Sequence, residues 1–205
     1  MARSARFRFE EDRLSYIAAH WLLRTALSSI AGAPATGWRF TAEKLGKPRI
    51  VLEAGLPVYD FNLSHTRGFV ACAVCLGAKL GIDVETLGPD RAGLDIATSF
   101  FSPTEVMLLR NTPEEQRSVV FFRLWTLKEA FIKATGDGLS RSLDSFSFSL
   151  DPVSIVFSSE DADEATQWQF VEMRPTTRHL LAVAIRRPPD VPISFTVCPS
   201  APCAP

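Results

Sequence analysis

No apolar run in the 205 residues approaches the roughly 18 that cross a bilayer, and the first residues, Met1-Ala2-Arg3-Ser4, lack the hydrophobic stretch of a secretory signal. A cytoplasmic protein with no membrane partner is expected. An excess of one charge is also missing: 22 Lys and Arg stand against 23 Asp and Glu, a net of −1. With no recognised base-reading motif beside so modest a set of basic residues, nucleic acid is not expected as a partner. Cysteine is sparse at 4. Cys72 and Cys75 sit in the apolar run 69–76, where a three-residue spacing along a strand sends them to opposite faces, so they read as small core residues rather than a chelating pair. Cys198 and Cys203 lie in a Pro-rich tail, 191–205, and look incidental. Histidine numbers 3. Ser64 and His65 are neighbours on an extended segment and face opposite ways, so neither activates the other and no hydrolase triad follows. His20, on a helix beside Trp21, reads as structural, and His179 borders a strand with no partner to name. At 46% apolar residues the chain buries a substantial core, and nothing resembles a long disordered arm.

What is present is a set of carboxylates on two short patterns. Gly81-Ile82-Asp83-Val84-Glu85 alternates with period two, so in a strand Ile82 and Val84 face the core while Asp83 and Glu85 share the other face. Carboxylates two apart on a strand sit roughly 6.5 to 7 Å apart at their Cα atoms, close enough for their oxygens to converge on one ion. Some forty residues on, Trp125, Glu129 and Lys133 recur every four residues and line one stripe of a helix that stops at Gly136. Leu124, Leu127, Phe131 and Ala134 form a neighbouring apolar stripe for burial against a sheet. Taken alone, Glu129 and Lys133 read equally as an exposed ion pair worth about 0.3–0.5 kcal/mol, and the Asp83/Glu85 pair as a solvated face. Together the two segments bring three carboxylates and a lysine to one place. That set suits Mg²⁺, which takes few carboxylates and leaves its other positions to water and phosphate, clamped on a diphosphate.

The layout around these motifs is mixed α and β. A first helix is predicted over 12–30, ended by Ala31-Gly32-Ala33-Pro34. Strands are predicted near 38–40, 61–63, 68–76, 81–85, 146–148, 167–171 and 179–185. Ser102-Pro103-Thr104-Glu105 has an N-cap serine, a first-turn proline and a glutamate at the third helical position, so a short helix starts there. The residues Asn111-Thr112-Pro113-Glu114-Glu115 break that helix and open the long one. A faint internal repeat sets residues 20–32 on 124–136, with tryptophan, leucine, alanine and glycine coinciding, and a second sets 70–74 on 181–185. The two echoes imply two similar halves.

With Leu22-Leu23-Arg24, Gly46-Lys47-Pro48, Phe61-Asn62-Leu63-Ser64-His65 and Phe100-Phe101-Ser102-Pro103-Thr104-Glu105 added to the acidic strand, the Trp125–Lys133 helix and Gly138-Leu139-Ser140, the chain resembles the Sfp-type 4'-phosphopantetheinyl transferases, in the subgroup whose helix motif reads W followed by KEA. The likeness runs from about residue 6 to residue 144, with the motifs in order. It implies an α+β pseudo-dimer, each half a long helix packed on a mainly antiparallel sheet, with a coenzyme site in the cleft between them. Residues 1–80 would form the half that holds the phosphate and adenine side of coenzyme A, and residues 81–190 the half with the metal site and the carrier-binding side. The implied reaction moves the 4'-phosphopantetheine group from coenzyme A, the co-substrate, to a serine of an acyl or peptidyl carrier protein and releases 3',5'-ADP.

The resemblance also implies roles. Asp83, Glu85 and Glu129 would bind Mg²⁺, Lys133 would hold a phosphate oxygen, and Lys47 and Arg24 would add positive potential around the coenzyme. Ser64 and His65 would hold the nucleotide and its 3'-phosphate, and Glu129, or a water it holds, would take the proton of the attacking serine. Residues 1–49 carry nine Lys or Arg against four Asp or Glu, which suits an anionic coenzyme. One departure concerns the first helix: where relatives often have an arginine this chain has Ser15, so Arg13, with Arg3, Arg6 and Arg8, is the expected substitute. Carrier recognition is expected on an apolar surface around 104–117, and a chain holding both halves is expected to be a monomer. A second reading, a catalytically idle carrier-binding module with the same fold, leaves the three carboxylates without a purpose, since their mutual repulsion is unfavourable without a cation.

Overall fold

Two helices of 22 residues organise the chain, α1 (Glu10–Ala31) and α4 (Glu114–Thr135), and each is closed by a glycine in the left-handed region, Gly32 at φ 69° and Gly136 at φ 80°. Any side chain is strained in that conformation, which is why both helices stop on glycine. These are the two glycines that the sequence repeat superposes. The computed structural model describes residues 9–42, 47–51, 57–88, 93–157, 162–187 and 190–197. Arg3, Arg6, Arg8, Gly46, Cys198 and Cys203 lie outside the described residues.

From α1 the chain runs through β1 (Phe40–Ala42), β2 (Pro48–Ile50), β3 (Tyr59–Thr66), β4 (Phe69–Leu76) and β5 (Leu80–Thr86), then α2 (Leu94–Phe100) and α3 (Pro103–Asn111) into α4. After α4 come β6 (Ser147–Leu150), β7 (Val153–Val156), the single turn α5 (Ala162–Ala165), β8 (Trp168–Thr176) and β9 (His179–Arg186). Among the described residues every ladder is antiparallel: the pairs β1-β2, β3-β4 and β6-β7, and the three-stranded sheet β5-β9-β8. The fold is α+β, and its halves echo one another: α1 packs on β4 as α4 packs on β9. The echo fails at the tryptophans. Trp21 is 44% exposed, whereas Trp125 packs beside Phe101 and Phe121. Trp38, expected in a strand, precedes β1 and is a core residue whose indole N–H donates to Ser28 Oγ at 3.0 Å.

Three apolar clusters follow from these pairings. Leu23, Leu27, Trp38, Ile50 and Phe61 join α1 to β2 and β3. The second cluster sets Ala71 of β4 against Leu80, Ile82 and Val84 of β5 and Leu181, Val183 and Ile185 of β9. The largest surrounds α4, where Leu124, Leu127, Phe131 and Ala134 are all at most 1% exposed. Strand β9 is therefore sealed on both faces, its even residues Leu180, Ala182 and Ala184 against α4 and its odd ones against β4 and β5.

The halves meet where β3 runs beside β5. The odd residues of β3, Tyr59, Phe61 and Leu63, pack toward α1, and the even ones face β5. Asp60 Oδ2 accepts from Leu80 N at 2.8 Å, Asn62 Oδ1 from Ile82 N at 3.1 Å and Ser64 Oγ from Val84 N at 3.2 Å, while the Thr66 and Thr86 hydroxyls bond at 2.9 Å. Each pair is 20 residues apart, so the strands run in the same direction and side chains stand in for a backbone ladder.

On its other face β5 presses into α4 through Gly81. A Cβ there would stand 1.9 Å from Ala130 O and 2.5 Å from Ala134 N, both backbone atoms that cannot swing aside. The glycine that opens the acidic motif thus lets strand and helix approach closely enough for their polar side chains to touch. Replacing it, Gly81→Ala, is expected to destabilise the protein by about 3 kcal/mol through overpacking. Urea unfolding checks this, and a variant within about 0.5 kcal/mol of wild type would remove the close approach as the reason for the glycine.

Candidate functional site

The close packing at Gly81 places Asp83, two residues further along β5, against Lys133 of α4. Lys133 Nζ lies 2.6 Å from Asp83 Oδ1 and 3.1 Å from Ser64 Oγ. Ser64 donates its hydroxyl to the same Asp83 Oδ1 at 2.9 Å while accepting from Val84 N, so the seam between the halves holds the aspartate in place. Asp83, Glu85, Trp125, Glu129, Lys133, Ser64 and His65, with Leu63, Tyr16, Ala19 and His20, line one cavity of about 520 Å³. The acidic strand, the four-residue stripe and the Ser64-His65 dipeptide, far apart in sequence, therefore share one space.

The carboxylates in it are under electrostatic load. Asp83 is only 4% exposed, and its Oδ2 is buried with no hydrogen-bond partner. Burial pushes the Glu129 carboxyl above the usual carboxylate range, the charge of Asp83 pushes the same way, and Lys133 opposes both. An orphaned carboxylate oxygen beside a second carboxyl that resists ionisation is what a hard, oxygen-seeking cation would relieve, so the residues present fit one. Among the described residues no three His, Cys, Asp or Glu side chains already stand as a ready-made metal cage.

Trp125, Glu129 and Lys133 also form a wall of a second cavity, about 620 Å³, with Lys47, Asn62, Phe100, Ile132, Gly136, Gly138, Arg141, Ser142 and Leu143. One helical stripe thus separates two spaces: the α1 side with Tyr16 and His20, and the side of the turns after α4. The Arg141 guanidinium lies near the Phe131, Phe146 and Phe157 rings, at 5.1 to 5.8 Å from their centroids.

Not every expected residue reaches these cavities. Arg24 does not: its guanidinium donates to Ala35 O and Trp38 O and lies over Phe40, because those carbonyls close the α1–β1 turn and need a donor. Arg13 pairs with Glu10 on the first turn of α1, one turn before Tyr16 and outside the lining. Lys47 lines the second cavity but is already bonded to Asp60 Oδ2 at 2.9 Å and Leu80 O at 3.0 Å. Ser64 is buried and engaged on three sides, while His65 is exposed at the rim. His20, expected to be structural, faces the first cavity with Tyr16, their rings 4.3 Å apart; the four-residue spacing on α1 was the available signal. His179 finds partners in Thr176 Oγ1 at 2.7 Å and Arg67 O at 3.2 Å and is a structural histidine.

Lys128 is a residue that the sequence pattern left unassigned. It is fully buried, 2.8 Å from Glu105 Oε2 and donating to Leu143 O and Phe146 O at 2.7 Å each. Glu105 in turn completes a capping box with Ser102 and accepts from Phe148 N at 2.9 Å. The pair fastens α3, α4 and β6 around the wall that carries Glu129. Cys72 and Cys75 face different clusters, and burial pushes the Cys72 thiol up to about 12. No helix among the described residues is long and apolar enough to cross a membrane.

Comparison with known proteins gives a consistent result. Residues 79–184 match the family model described as the 4'-phosphopantetheinyl transferase superfamily, and residues 1–76 match one described as 4'-phosphopantetheinyl transferase, N-terminal. The chain is 37% identical over 188 residues to the 4'-phosphopantetheinyl transferase HetI of Nostoc sp., covering 90% of this chain and 76% of that protein. It is 40% identical over 145 residues to a 4'-phosphopantetheinyl transferase of Bacillus subtilis, covering 71% and 62%. To the human L-aminoadipate-semialdehyde dehydrogenase-phosphopantetheinyl transferase it is 28% identical over 202 residues, covering 91% and 65%. The chain therefore spans about three quarters of the first relative and somewhat under two thirds of the other two.

The strained Glu129 carboxyl has a measurable consequence. A carboxyl whose folded-state pKa is raised favours folding while protonated and loses that contribution as pH rises through the raised value. Metal-free Glu129→Gln is thus expected to melt higher than wild type at neutral pH, and the gain is expected to vanish below about pH 4, where glutamates protonate in either state. Thermal melts in chelator across pH check this; a gain that persists at low pH would mean that the charge is not its source.

Proposed function

Because the chain belongs to the 4'-phosphopantetheinyl transferase superfamily, we propose that this cleft transfers the 4'-phosphopantetheine group of coenzyme A to a serine of an acyl or peptidyl carrier protein. Residues 1–80 face the nucleotide and residues 81–190 supply the acidic site and the carrier side, in a cytoplasmic monomer. Asp83, Glu85 and Glu129 would hold Mg²⁺, which supplies charge neutralisation on the diphosphate as the anhydride breaks. The observation that carries this reading is the buried, unpartnered Asp83 Oδ2 beside Glu129 in a cavity that also holds Lys133 and His65.

The chain's own groups have clear tasks in the transfer. Lys133 offers an ammonium to a phosphate oxygen from the wall shared by both cavities. His65, exposed at the rim of the cavity, would contact the 3'-phosphate of the nucleotide end. The carrier serine oxygen bonds to the β-phosphorus, the bridging P–O bond breaks, and 3',5'-ADP leaves with that electron pair. The serine proton passes to Glu129, directly or through a water. Arg13 and Arg24 have no part in this reading, and Ser64 acts by holding Asp83 rather than by touching the nucleotide.

A mass assay with apo-carrier proteins, coenzyme A and Mg²⁺ tests the proposal: the expected result is a phosphopantetheine mass gain on one serine, and no gain across several carriers overturns it. Asp83→Asn and Glu129→Gln are each expected to lower turnover by at least about 10²-fold with the fold intact, the scale of a lost acid/base or electrostatic group. Near-native turnover in either variant would take that residue out of the mechanism.

A further inference from the structure

Lys133 is bound where the proposed cation would act. Its ammonium touches Asp83 Oδ1 at 2.6 Å and Ser64 Oγ at 3.1 Å, inside a set of carboxylates that would otherwise repel one another. Asp83 is fixed: it is 4% exposed and bonded to Ser64, whose hydroxyl is itself held by Val84 N. Lys133 is the movable member, with a side chain 29% exposed on a flexible four-carbon stem and access to both cavities. The second Asp83 oxygen has no partner, so the lysine satisfies only half of the carboxylate.

We propose that Lys133 is the site's resident counter-ion, competing with the divalent cation for Asp83 until a diphosphate draws its ammonium away, so that cation and coenzyme each tighten the binding of the other. This rests on the reading of Asp83 and Glu129 as cation ligands given above. Without coenzyme an arriving cation meets the ammonium as a like charge at the oxygen it needs. With the coenzyme present, diphosphate oxygens offer Lys133 another partner, and the carboxylate is released to the metal. Linkage makes the effect reciprocal: whatever factor the coenzyme adds to cation affinity, the cation adds to coenzyme affinity.

Mn²⁺, a paramagnetic probe for a hard oxygen site, can be titrated into wild type, Lys133→Met and Arg141→Met while electron paramagnetic resonance counts the free ion. Wild type is expected to bind weakly alone and roughly tenfold or more tightly with coenzyme A, within the usual range of coupling between sites. Lys133→Met is expected to bind Mn²⁺ roughly tenfold more tightly than wild type without coenzyme and to gain clearly less from coenzyme than wild type gains, the coupling that remains being that of the diphosphate itself. Arg141→Met also removes a cation from the shared neighbourhood, but the guanidinium touches Asp137 and three phenylalanines rather than Asp83, so it is expected to leave Mn²⁺ affinity within about threefold. Lys133→Met leaves carboxylates without a counter-charge, so Lys133→Gln, which keeps a donor and drops the charge, repeats the titration if the first variant does not fold. Neutral variants that bind Mn²⁺ no more tightly than wild type overturn the inference, as does an equal gain in Arg141→Met. If wild type takes up no Mn²⁺ even with coenzyme A, the cation site itself is wrong; if it does so and Lys133 variants match it, only the competition is wrong.

Discussion

An edge strand that, among the described residues, has no backbone neighbour on one side sets the terms for the rest of this molecule. The amides of Leu80, Ile82 and Val84 point out of β5 toward the other half, and the side-chain oxygens of Asp60, Asn62 and Ser64 meet them in step. A buried amide left without an acceptor costs about 1–3 kcal/mol, so three such bonds in register hold the halves to one alignment and disfavour a slip. That alignment also decides where Ser64 falls. The last acceptor of the seam is the hydroxyl that orients Asp83, so joining the halves and aiming the acidic strand are one event. Lys47 bridges Asp60 to Leu80 O at the start of the same seam, which explains why a basic residue expected beside a ligand is tied to structure.

Within the helix motif, neighbouring charges have opposite fates. Lys128 and Glu129 differ by one position, about 100° around the helix axis. The lysine turns into the core, where burial pushes its pKa down against the Glu105 charge, and the glutamate turns toward the cavities. Breaking a buried pair of this kind is far more costly than losing a surface pair, because the surviving charge is left without compensation. The motif thus combines a structural ion pair and a cavity-facing carboxylate on adjacent residues, and the first holds the helix that presents the second.

Much of this was legible in the order of residues, and the exceptions have physical reasons. Period-two alternation at 81–85 and the four-residue stripe of Trp125, Glu129 and Lys133 were readable because each rests on local geometry alone, and both stripes face one cavity. The stop at Gly136 and the cap at Ser102 were equally local. Contacts between elements were harder. Nothing near Arg24 announces that Ala35 and Trp38 need a donor, and nothing near Lys128 announces a carboxylate 23 residues upstream in a buried capping box. The polar residues of β3 carried a visible alternation, Asp60, Asn62, Ser64 and Thr66, yet their partners lie on a strand whose amides are free only because the fold leaves them so. The helix α2 and the strands β2 and β7 are too short for periodicity to register.

Strand β9 gives the molecule a temporal property. It is the middle strand of the sheet that carries Asp83, and it pairs with β5 across about a hundred intervening residues, from Leu80 opposite Ile185 to Glu85 opposite Leu180. Contacts so distant along the chain form late, because a long loop must close first. During translation the N-terminal half and its seam acceptors emerge well before the strand that backs the acidic motif. A growing polypeptide on the ribosome thus carries the carboxylates without the sheet that aims them, and the acidic strand gains its backing only as synthesis nears the end of β9.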